Sequence, residues 1–125
     1  MLEEIPNVQQ VPGENARRWF FSHEQDLLVW YNEAGEPTGF QLCYGKYHDE
    51  HALRWKLGRG FTHDRVDDGE SGGVAKEAPI LIPDGAFPAS KVLERFLELS
   101  SSLPSDLVGF VAARLREHHN YHADA

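Results

Sequence analysis

The segment from Trp19 to Leu57, WFFSHEQDLLVWYNEAGEPTGFQLCYGKYHDEHALRWKL, decides the fold. Three aromatic-rich stretches alternate in it with turn chemistry. Leu27, Val29 and Tyr31 alternate with Leu28 and Trp30. Phe40, Leu42 and Tyr44 alternate with Gln41, Cys43 and Gly45. Leu53, Trp55 and Leu57 alternate with Ala52, Arg54 and Lys56. A period of two in branched and aromatic residues is the pattern of a pleated sheet with one buried face. The links between the stretches are short and polar: His23-Glu24-Gln25, then Glu33 to Pro37 with Gly35 free for positive φ, then His48-Asp49-Glu50 at a hairpin tip. The pattern predicts strands over Arg17–Ser22, Asp26–Asn32, Gly39–Tyr47 and His51–Leu57, and a weaker one over Phe61–Val66. Five consecutive apolar residues, Leu27 to Tyr31, predict burial on both faces of the second strand. Trp19, Trp30 and Trp55 are assigned to the core.

Outward from this segment the signals weaken. Residues 1–15 carry Pro6, Pro12 and Gly13 without periodicity and read as a loosely docked arm. Residues 67–78 form an acidic, glycine-containing loop. Pro79–Pro83 is a short apolar run between prolines, suited to an edge strand. Val92, Leu93, Phe96, Leu97 and Leu99 mark the apolar face of a helix over Ser90–Leu99. A second helix starts near Pro104, with Asp106 in its first turn, and runs to about residue 118, with Arg114 and Arg116 near its negative end. Strands followed by helices, without alternation, predict a single α+β domain. Its expected form is an antiparallel meander of four to five strands with two C-terminal helices packed on one face.

Composition bounds the function. The net charge is −8, which disfavours nucleic acid and anionic membranes as partners of the whole surface. Cys43 is the single cysteine, so no internal disulfide can form and a reducing compartment fits. Glu3 and Glu4 are unlike a signal peptide, and no apolar run approaches the ~18 residues of a membrane span. The cytoplasm is the default expectation.

Each cluster of chemistry-bearing residues has a plain reading beside the sharp one. His63, Asp64, Arg65, Asp67, Asp68 and Glu70 are the densest polar group. His63 and Asp67, with His48 or His51, would supply imidazole and carboxylate ligands to a divalent metal. The plain reading is a solvated strand end, since no metal-spacing signature is matched. His118, His119 and His122 near the C-terminus suit only adventitious metal binding. Arg54, Lys56, Arg59 and Arg65, interleaved with Trp55 and Phe61, contain the ingredients of an anion or single-strand nucleic-acid site. The alternation argues against a cation–aromatic platform there, because Arg54 and Lys56 face away from Trp55. Ser71-Gly72-Gly73 near Lys76 lacks phosphate-loop spacing and is crowded by acids. Cys43 reads as a small, unreactive thiol unless a cation such as Arg54 activates it.

Together these observations favour a non-catalytic binding or interaction domain without a cofactor. Its partner would be a small apolar or anionic ligand in a cavity of the curved sheet, a protein, or a second copy meeting an exposed aromatic face. A metal-dependent hydrolase on the His/Asp cluster is one alternative. An anion or nucleic-acid binder on the basic strand is the other.

Overall fold

The computed structural model describes residues 1–46, 49–67, 80–83 and 87–118. They form an antiparallel sheet whose strands follow one another in space as in sequence. The strands are β1 (Glu3–Glu4), β2 (Ala16–Phe21), β3 (Gln25–Tyr31), β4 (Pro37–Tyr44), β5 (His51–Lys56), β6 (Gly60–Asp67) and β7 (Ile80–Pro83). Helices α1 (Ala89–Leu99) and α2 (Ser105–Glu117) follow. The α+β class and the meander with C-terminal helices are as expected. The strand count is higher, because β1 and β7 extend the sheet at its two edges.

Register sorts the side chains into two faces. Phe20, Leu27, Leu42, Leu53 and His63 are cross-strand partners in one row. Val29, Phe40, Trp55 and Phe61 make a neighbouring row on the same side. The helices cover this side. Ala89, Val92, Leu93, Phe96 and Leu99 of α1, with Leu107, Val111, Ala112 and Leu115 of α2, join the sheet residues in one core. Phe110 stands edge-on to both Phe40 and Trp55, which are themselves stacked, an arrangement suited to the aromatic quadrupole.

No helix among the described residues covers the opposite face. It carries Arg17, Trp19 and Phe21 of β2, Asp26, Leu28 and Trp30 of β3, Gly39, Gln41 and Cys43 of β4, and Arg54 and Lys56 of β5. Two expectations are corrected here. Of the three tryptophans only Trp55 is in the core, whereas Trp19 is 38% exposed and Trp30 is half-buried. The apolar run of β3 is also not buried on both sides: Leu27 and Val29 are fully covered, Leu28 and Trp30 are not. An apolar residue on the second face can serve either a second covering layer or an open groove, and periodicity does not distinguish them.

The N-terminal segment also departs from a loose arm. Leu2 is fully buried, its N–H donates to Leu99 O at 2.7 Å, and Ser102 Oγ donates to its carbonyl at 2.9 Å. Arg18 and Glu4 form a bidentate pair across β1 and β2, and the guanidinium holds the Glu4 carboxyl below its ordinary pKa. Further along, the Gln10 side chain donates to Arg17 O and accepts from Arg17 N. This amide replaces a strand partner on the edge of β2, where unpaired backbone would otherwise be exposed. A two-residue ladder and a side-chain mimic leave no periodic trace in sequence. Leu2→Ala is expected to lower stability by about 2–5 kcal/mol, read from urea denaturation. An effect below about 0.5 kcal/mol would show that the segment is not part of the core.

Candidate functional site

The open face holds a trench lined by cations. Two hollows, of about 800 Å³ and about 450 Å³, adjoin one another, with Arg17, Leu28 and Gln41 lining both. Trp30 and Leu28 form the floor of the larger hollow, and Arg17, Arg54, Lys56 and Arg59 surround it. In the smaller one, Trp19, Leu28 and Cys43 face a wall made by Ile5, Val8 and Gln9 of the N-terminal segment.

Local structure places each cation. Trp30, Gly39 and Lys56 are successive partners in one cross-strand row. Gly39, without a side chain, stands between the tryptophan and the lysine in that row. A Cβ there would lie 2.9 Å from Trp55 O, so the close strand approach requires glycine. Arg54 donates through Nε to Gln41 Oε1 at 2.7 Å. That bond fixes the guanidinium over the trench and leaves its terminal nitrogens without a partner among the described residues. Arg59 sits at the β5–β6 turn between Gly58 and Gly60, both at positive φ, with its N–H on Lys56 O. Arg17 donates through Nε to Gln9 O at 2.9 Å.

None of these four cations forms an ion pair among the described residues. Arg18, Lys46, Arg95 and Arg114 are all paired with carboxylates. In a chain of net charge −8, unpaired cations gathered over an apolar floor favour an anion locally. Glu14 is the one carboxylate lining the larger hollow. At the far end, Asp26 is neutralised by Lys46 at 2.7 Å.

The alternation holds for Trp55, and the trench cations lie beside a different indole. Trp55 does face the core, opposite to Arg54 and Lys56. The aromatic partner instead comes from Trp30, two strands away. Arg65 does not join it: as the cross-strand partner of His51 it belongs to the other face. Arg17, Trp19 and Trp30 are trench residues that sequence reasoning left out of the candidate site. The alternation of Arg17 with Arg18, and of Trp30 with Tyr31, carries no sign of which face stays open.

Cys43 lines the smaller hollow, but burial pushes its thiol up to about 11, with Gln41 opposing weakly through a hydrogen bond. The thiol is protonated at neutral pH and is not a nucleophile. Alkylation by iodoacetamide at pH 7.5 is expected to be at least tenfold slower in the folded protein than in denaturant. Equal rates would contradict this environment.

The histidine cluster is built differently. His51 and His63 stack with ring centroids 5.0 Å apart, and Tyr44 stacks on both. Phe87 tilts against His63 and Tyr44. Tyr44 Oη is hydrogen-bonded to His63 Nε2. His51 Nδ1 lies 2.8 Å from Asp49 O, and a carbonyl only accepts, so Nδ1 carries the proton of that bond. His63 and Asp67 are four residues apart on one extended strand, which separates their Cα atoms by ~13 Å. His48 lies outside the described residues, as do Asp68, Glu70, Ser71 to Gly73, Lys76, His119 and His122. Among the described residues no three His, Cys, Asp or Glu side chains are grouped to hold a metal ion. Among the described residues the hydrolase reading thus has no convergent ligand set, and the two central imidazoles are engaged in aromatic packing on the helix-covered face.

No helix among the described residues is long and apolar enough to cross a membrane. No protein-family model matches this chain, and no curated protein or solved structure is significantly similar to it.

Proposed function

We propose that this protein is a non-catalytic binding module that takes an anionic ligand on the open face of its sheet. The observation that carries the reading is the group of four cations, Arg17, Arg54, Lys56 and Arg59, around the Trp30–Leu28 floor, none of them in an ion pair among the described residues. The larger hollow has a volume in the range of small-molecule sites. It combines an apolar base with a few oriented polar groups, which is the usual composition of such sites. The same charges speak against a symmetric dimer through this face, since a two-fold contact would set arginine and lysine against their own copies.

Trp30 and Trp19 report on the trench by fluorescence. Titration with inorganic phosphate, benzoate and octanoate is expected to give a saturable change with at least one of them. The affinity should fall between low and moderate salt, because exposed charges are screened. No saturable change with any of the three, at either salt concentration, would overturn the reading.

A further inference from the structure

The two ends of the trench differ in chemistry, and this specifies the ligand further. We infer that the trench takes a single amphipathic anion, with its acidic head among Arg54, Lys56 and Arg59 and its apolar body laid across the strands toward Trp19. The inference rests on the binding reading above.

Three observations carry it. Arg54, Lys56 and Arg59 line the larger hollow and none lines the smaller. The smaller hollow offers Ile5, Val8, Trp19 and Leu28, and its one carboxylate, Asp26, is already neutralised by Lys46. The hollows adjoin one another, with Arg17, Leu28 and Gln41 lining both. From β5 to β2 the trench crosses three strand spacings, ~14 Å, long enough for an extended alkyl body beyond a carboxylate head. A nucleic-acid strand calls for cations that follow its backbone throughout, whereas here Arg17 alone reaches the second hollow, and its Nε is already donated to Gln9 O. A purely inorganic anion would leave the apolar half of the trench without a role. Charge complementarity at one end and apolar area at the other select a carboxylate or phosphate monoester bearing a hydrocarbon chain.

The test is a homologous series of butyrate, octanoate and dodecanoate, each below its aggregation limit, titrated against the whole chain by tryptophan fluorescence. Affinity is expected to rise about 2–4-fold per added methylene, the upper figure being the fold-change equivalent of ~0.8 kcal/mol per buried group. Leu28→Asn should flatten that dependence on chain length. Arg54→Gln should weaken octanoate and dodecanoate by the same factor. Val8→Asn, outside the strands, repeats the apolar test if Leu28→Asn fails to fold. A flat series overturns the amphiphile while the anion-binding reading survives. Silence from the whole series, and from phosphate and benzoate, overturns both. Chain-length dependence unchanged in the apolar variants places the body elsewhere and overturns the assignment. Binding to vesicles rich in an anionic phospholipid, without binding of monomeric dodecanoate, also overturns it, in favour of a membrane surface.

Discussion

Phe40→Ala is expected to remove about 3–5 kcal/mol of folding stability, a larger effect than that of Leu2→Ala at the edge of the core. Phe40 is fully buried on β4, with β3 and β5 on either side. Its ring stacks on Trp55 and meets the edge of Phe110 of α2. Removing it takes away one of the two ring contacts, with that of Trp55, by which Phe110 of the second helix meets the sheet. The neighbours cannot close the void cheaply: Trp55 is held in a ladder on both sides, and Phe110 is committed to a helix. A single domain of this size has a total stability of about 5–15 kcal/mol, so about a fifth or more is at stake. Leu57→Ala is the comparison, because Leu57 is 68% exposed and its loss should change stability by less than about 0.5 kcal/mol. Equal denaturation midpoints for the two variants would refute the assignment of the core.

The second large effect concerns binding. The double substitution Arg54→Glu/Lys56→Glu is expected to weaken octanoate binding by more than about 100-fold at low salt. One cation ~5 Å from a carboxylate in near-bulk water contributes ~0.8 kcal/mol. Reversing its sign doubles the change, so two reversals amount to ~3 kcal/mol, which is over two orders of magnitude in Kd. Both residues are exposed, so the fold should tolerate the change even though it removes the hydrogen bond from Arg54 to Gln41. An unchanged thermal midpoint with abolished binding is the expected outcome. Retained octanoate affinity would remove these two residues from the site.

Much of the fold was legible because it rests on local periodicity. The alternation of Phe40 with Gln41 and of Trp55 with Arg54 correctly separated inward from outward positions on β4 and β5. The helix boundaries followed from Pro104 and from the apolar face of α1. What could not be read depends on which neighbours meet across strands. Trp30 and Leu28 have the same alternating pattern whether a helix covers them or a ligand does. The trench joins Trp30 on β3 to Lys56 on β5 through a glycine, and no spacing in the chain encodes that row. Leu2 stands between Met1 and two glutamates with no periodic pattern around it, and only the closing contact with Leu99 shows its burial.

The strand order also has a kinetic meaning. Each strand is bonded only to its neighbours in sequence, so the sheet can assemble hairpin by hairpin, closing short loops at small entropic cost. Contacts that span most of the chain come instead from the packing of the helices on the sheet and from the bonds of Leu2 to Leu99 and of Ser102 to Leu2. Topologies rich in local contacts fold fast for their size. The meander is thus able to form early, with the joining of the chain's first residues to the helical layer as the late event that locks it.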